Sequence, residues 1–123
     1  MSEKLSSRGA DRAKHEKSWG FEDWVVNNDL YCGKRLVFET NGGHTSLHFH
    51  AKKHETMLCV RGMFKVVMVD AATASRSEVE LMPGDALEIP QNTPHRIVAL
   101  ADGSELIEFS THHEDSDSYR VER

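Results

Sequence analysis

Residues 42–62 read Gly42-Gly43-His44-Thr45-Ser46-Leu47-His48-Phe49-His50-Ala51-Lys52-Lys53-His54-Glu55-Thr56-Met57-Leu58-Cys59-Val60-Arg61-Gly62. Side chains alternate between faces along a strand. A strand over residues 45–51 therefore sets His48 and His50 on one face with Ser46, and turns Leu47 and Phe49 to the other. Two imidazoles two residues apart on one face are neighbours, as a shared cation requires. Glu55 opens the next strand with Met57 and Cys59 on its face, and an antiparallel return would bring it back beside the histidines. His95 heads a later strand, directly after Pro90-Gln91-Asn92-Thr93-Pro94. Three neutral imidazoles and one carboxylate suit one divalent transition metal such as Zn, Mn, Fe, Ni or Co, with coordination positions left for water or substrate.

Outward from this stretch, short apolar runs are punctuated by turn residues. Strands are expected over 24–26, 30–40, 45–51, 55–61, 63–70, 77–81, 86–89, 95–100 and 105–111. Breaks fall at Asn27-Asn28-Asp29, Asn41-Gly42-Gly43, Arg61-Gly62, Pro83-Gly84-Asp85 and Ala101-Asp102-Gly103. Such close spacing, without a sustained helical period, predicts an all-β sandwich or barrel. Residues 1–17 are polar and aperiodic and are expected to form a flexible N-terminal arm, leaving 18–123 as the folded domain. The polar tail after residue 111 is expected to lie across the barrel or hang free.

At 123 residues the chain can bury one core, not two. A net charge of -5 argues against nucleic acid as a partner, because phosphate neutralisation needs clustered Lys and Arg. No apolar stretch approaches the roughly 20 residues a membrane span requires. The first residues carry no apolar signal region, so a cytoplasmic protein with reduced Cys32 and Cys59 is expected.

The stretch from Gly42 resembles the first cupin motif, G-x5-H-x-H-x4-E-x6-G, at Gly42, His48, His50, Glu55 and Gly62. From Gly84 the chain reads GDALEIPQNTPHRIVA, similar to the second motif, G-x5-P-x-G-x2-H-x3-N, at Gly84, Pro90 and His95. Asn92 stands where the motif has Gly, and Ala99 where it has Asn; neither is a ligand position. The resemblance implies an all-β cupin jelly-roll barrel of two antiparallel sheets, with His48, His50, Glu55 and His95 as ligands of one metal. His44, His54, His112 and His113 lie outside the motifs and are read as surface or supporting residues.

Softer similarities point toward carbohydrate. Lys17-Ser18-Trp19-Gly20-Phe21-Glu22, Leu106-Ile107-Glu108-Phe109-Ser110 and the tail with Glu114-Asp115 and Tyr119-Arg120 resemble the cupin domain of type II mannose-6-phosphate isomerases. Residues 24–34 look like small sugar-isomerase cupins of the D-lyxose isomerase group, whose motif also has a Lys where this chain has Lys53. The implied reaction is aldose–ketose isomerisation or epimerisation through an enediol. Its base would be Glu108, whose neighbours Ile107 and Phe109 face the other layer, with Lys53 as the second catalytic candidate. Lys34, Lys65 and Arg120 would hold hydroxyls or a phosphate of a sugar-like ligand. A non-catalytic sugar-binding cupin and a metal-dependent dioxygenase stay open as alternatives. A homodimer is expected through an outer sheet face, with a strand near Trp24 contributing.

Overall fold

The computed structural model describes residues 5–123. Strand character follows the period-two pattern: in β6 (Phe64–Val69), Phe64 and Val66 are buried while Lys65 and Val67 are half-exposed. The same alternation runs through β5 (Glu55–Arg61), which turns Glu55, Met57 and Cys59 inward, and β9 (His95–Ala99), which turns in His95, Ile97 and Ala99. The remaining strands are β1 (Lys14–Lys17), β2 (Gly20–Asn27), β3 (Cys32–Phe38), β4 (Leu47–His50), β7 (Arg76–Leu81), β8 (Ala86–Ile89), β10 (Ser104–Ser110) and β11 (Ser118–Glu122). Short 3₁₀ turns occupy Gly9–Asp11 and Asp115–Asp117.

Two antiparallel sheets result, ordered β1-β2-β3-β10-β5-β8 and β11-β4-β9-β6-β7. This is the all-β jelly-roll arrangement expected from the motifs. Their facing sides enclose a core that includes Leu36, Phe38, Met57, Phe64, Val66, Leu81, Ile89, Ile97 and Leu106. Trp19 stacks on Phe38 at 4.1 Å, and Phe38 meets Phe64 edge-on at 5.1 Å. Burial of these apolar side chains stabilises the fold by about 1.5–3 kcal/mol each, and Trp19, Leu36, Met57 and Ile97 also line the cavity that holds the histidines.

Two backbone positions show why the motifs carry their turn residues. Gly62 ends the first motif at φ +77°, and a Cβ there would lie 2.8 Å from the Ser104 Cα and 2.1 Å from its Oγ. Asn92 adopts φ +60°, the left-handed conformation for which Gly is otherwise favoured. Its N–H donates to the His50 carbonyl at 2.7 Å, tying the 90–94 loop to β4.

Two expectations are corrected and a third is narrowed. Residues 14–17, placed in the flexible arm, form β1, so the sheet begins at Lys14 rather than at residue 18. Charged side chains suit an edge strand, which hides this one from a hydrophobic pattern. His15 also stacks on Trp24 at 4.0 Å, and Arg12 grips the buried Asp23 at 2.8 and 3.0 Å. Residues 1–4 of the expected arm lie outside the described residues. Next, β4 and β5 do not pair with each other; β4 belongs to the five-stranded sheet and β5 to the six-stranded one. Glu55 thus faces the histidines from across the sandwich. Of the two placements expected for the tail, it lies across the barrel: β11 pairs with β4, Arg120 opposite His48, with a register shift between Arg120 and Glu122. Among the described residues, no helix is long and apolar enough to cross a membrane.

Candidate metal centre

His48 on β4 stands directly opposite His95 on β9, and His50 follows on the same face of β4. The rings sit 4.6 Å apart for His48–His95, 5.1 Å for His48–His50 and 5.9 Å for His50–His95, and one nitrogen from each lies within 4.8 Å of the others.

The hydrogen bonds fix which nitrogens these are. His48 Nδ1 is 2.9 Å from the Ser46 carbonyl, His50 Nδ1 is 3.0 Å from that of Asp117, and His95 Nδ1 is 2.9 Å from that of Thr93. A carbonyl oxygen only accepts, so each Nδ1 carries the proton. In the neutral ring each Nε2 then presents a bare lone pair to the interior. Burial and the neighbouring His95 push His48 down to about 4, and burial with Lys53 also lowers His50, so both rings are neutral at pH 7.

Glu55 completes the group from β5. Its Oε1 is 3.0 Å from His95 Nε2 and its Oε2 is 4.0 Å from His50 Nε2. Neither carboxylate oxygen, nor His95 Nε2, makes a hydrogen bond, although all are buried. Leaving buried polar atoms without hydrogen bonds is costly. A divalent cation among them would give these atoms a partner. The three histidines form a group that could hold a divalent transition ion, with Glu55 facing it from β5 as the candidate fourth ligand.

Behind Glu55 lies a second charged layer. Lys53 is only 3% exposed, with its Nζ 3.0 Å from Glu108 Oε2, 3.2 Å from Glu55 Oε2 and 3.1 Å from His113 Nδ1. Burial works against the ammonium, but Glu108 and Glu55 outweigh it and raise the Lys53 pKa above its ordinary value. Burial likewise opposes the Glu55 charge, and His95 and Lys53 overcome it, holding this carboxyl below the usual range. With Lys53 donating, His113 Nδ1 accepts, so its Nε2 carries the proton to Asp115 at 2.8 Å. Glu108 also accepts from Ser110 at 2.9 Å, and among the described residues its Oε1 takes no hydrogen bond. Lys34, opposite Glu108 in the β3–β10 ladder, is buried against Glu22 at 3.3 Å and lies 4.3 Å over the Trp24 ring.

These groups line one cavity of about 410 Å³, together with Arg120 and His44. The structure thus brings together the four ligand candidates, Lys53, Glu108, Lys34 and Arg120. It does not bring in Lys65. The alternation that buries Phe64 and Val66 turns Lys65 to the outer face, where it pairs with Glu78 at 3.7 Å. Glu22 and His113 belong to the cavity but carried no motif signal, and His113 sits in a tail without strand periodicity.

A sequence model of the family described as Cupin matches residues 26–121. The chain belongs to the cupin family. Among curated protein sequences, none matches it. Solved structures resemble it closely in fold. KdgF from Halomonas sp. is 21% identical, with 89% of this chain covering 94% of that one at a TM-score of 0.75. The capsular polysaccharide assembling protein CapF from Staphylococcus aureus is 18% identical, with 100% of this cupin covering 35% of that chain at 0.82. Oxalate decarboxylase from Bacillus subtilis is 17% identical, with coverages of 92% and 31% at 0.80. This cupin spans about a third of the last two proteins, and at these identities the likeness is one of fold.

Proposed function

We propose that this cupin is a metal-dependent isomerase or epimerase of a small sugar-like substrate, shifting a proton between adjacent carbons of a hydroxy-carbonyl unit through an enediol. The carrying observation is the buried Lys53–Glu108 pair, at 3.0 Å, in contact with Glu55 and open to the same polar cavity. A bound divalent ion would supply Lewis-acid polarisation of substrate oxygens. Glu108, with one oxygen unengaged, takes the proton from carbon and returns it to the neighbouring carbon. Lys53 pairs with Glu108 at 3.0 Å and aims it, and its ammonium lends positive charge where the substrate oxygen becomes anionic. Arg120 and Lys34 hold hydroxyls or a phosphate. Arg120 suits this role because, among the described residues, it has no ion-pair partner.

The neighbouring CapF, named for capsular polysaccharide assembly, supports a carbohydrate setting. A dioxygenase is the weaker reading, since Glu22, Lys34, Lys53 and Glu108 give the cavity a charged rather than apolar wall. We include a homodimer in the proposal, through the outer face of the six-stranded sheet where Phe109 is exposed.

The test is exchange of the substrate C2 proton with solvent deuterium, over a panel of pentoses, hexoses and their phosphates with added Mn, Zn or Co. The reading requires exchange that a chelator stops. Glu108→Gln should abolish exchange while metal content is kept. Tight sugar binding without exchange would instead identify a non-catalytic module, and dioxygen consumption an oxygenase.

A further inference from the structure

We propose that Asp117, in the C-terminal tail, is a positioning residue for the metal centre, acting through His50 and the turn that carries Lys53 to Glu55. The proposal rests on the metal reading of the four ligand residues and adds a fifth determinant far from them in sequence.

Asp117 is only 3% exposed. Its carboxylate gathers three successive backbone N–H groups: Ala51 at 2.9 Å and Lys52 at 3.0 Å on Oδ1, and Lys53 at 3.0 Å on Oδ2. Its own carbonyl accepts the Nδ1 proton of His50 at 3.0 Å. One residue thus clamps both the ring of a ligand and the backbone that follows it. That backbone crosses from the five-stranded to the six-stranded sheet, and no ladder bonds hold residues 51–53 in place, whereas His54 is already tied to Thr111. Their N–H groups must be satisfied elsewhere, and the Asp117 carboxylate supplies the acceptor.

The geometric consequence reaches three groups. At the start of the turn, His50 keeps its Nε2 lone pair inward only while the Asp117 carbonyl holds the Nδ1 proton. Lys53, inside the turn, has its N–H fixed by Oδ2 and its Nζ against Glu55 and Glu108. Glu55 begins immediately beyond it. Partners that orient a ligand in this way are worth about 10–100-fold in metal affinity.

The experiment is equilibrium titration of chelator-stripped full-length protein with Co(II), read by the visible bands of the bound ion, and with Zn(II) by competition. Wild type should bind one ion. Asp117→Ala keeps the carbonyl that holds His50 but removes the carboxylate clamp on residues 51–53, and should bind about 10-fold more weakly, with shifted Co(II) bands as that turn and Glu55 relax. Asp117→Asn should fall between, because its amide oxygen serves Ala51 and Lys52 while its NH₂ cannot accept from Lys53. Glu114→Ala is the control: Glu114 is in the same tail, but its exposed pair with Lys52 at 3.5 Å touches no ligand. It should match wild type in affinity and spectrum. Affinity and bands unchanged in Asp117→Ala would overturn the proposal, as would equal losses in Asp117→Ala and Glu114→Ala. Should Asp117→Ala fail to fold, an unchanged Asp117→Asn would overturn it in the same way. Absence of Co(II) binding in wild type would strike the metal reading itself, and the proposal would fall with it.

Discussion

Replacing Lys53 with Met probes the charged layer behind the metal centre. Met keeps the length and flexibility of the side chain and removes its donors and its charge. In the metal-free protein this strands Glu108 and Glu55, 3% and 2% exposed, whose oxygens lie 3.0 and 3.2 Å from the lost ammonium. Removing one partner of a buried ion pair costs about 3–5 kcal/mol. For a domain of this size that lowers the melting midpoint by roughly 10–20 °C. Without the ammonium the burial of Glu55 is less well opposed, so its carboxyl moves up from its lowered position. The deficit should be full at pH 7 and shrink as pH falls into the carboxyl range at about 4–5. Zn(II) should recover only part, since an ion at the histidines compensates Glu55 and not Glu108. Urea unfolding of metal-free wild type and Lys53→Met at pH 7 and pH 5 measures all of this. A Lys53→Met protein within about 1 kcal/mol of wild type at pH 7, without metal, would mean that Lys53 does not compensate the two buried carboxylates.

Other expectations follow from single contacts. Asp23, held at about 2 first by Arg12, against burial, and then by Arg35, contributes stability that is present above about pH 4 and lost as pH falls through 2. Asp23→Asn should lose about 2 kcal/mol at pH 7, with the difference from wild type closing between pH 4 and 2 in acid unfolding followed by circular dichroism. Gly62→Ala should cost about 2–3 kcal/mol in urea unfolding, because its Cβ would meet Ser104 in a left-handed backbone. Lys65→Ala should leave substrate exchange and metal content unchanged, since Lys65 lies outside the cavity.

The parts legible in the sequence are those where period and chemistry agree. His48 and His50 flank Phe49 on a strand, and Asn92 takes the left-handed turn, so the ligand face and the two-sheet fold could be read from residues 42–62 and 84–99. Glu108 was legible as inward-facing because Ile107 and Phe109 flank it. Other features depend on tertiary context. A period of two says which face Glu55 takes but not which sheet, and Glu55 comes from across the sandwich. Lys65 was misread because charge alone suggested a ligand contact, whereas its neighbours Phe64 and Val66 had already claimed the inward face. β1 is made of charged residues whose only constraint is an edge to pair with. Asp117 and His113 act through backbone carbonyls, backbone N–H groups and one lysine, which leave no pattern in a polar tail.

Three Nε2 atoms turned toward one point, with the Glu55 carboxylate facing them, are read as the holder of one divalent ion. The most direct measurement is the Co(II) and Zn(II) stoichiometry and affinity of stripped wild-type protein beside His95→Ala, His44→Ala and His54→Ala. Wild type, His44→Ala and His54→Ala should each bind one ion per chain, and His95→Ala should show severe loss. Wild-type protein that takes up no ion, or His95→Ala that binds as wild type does, would contradict this assignment.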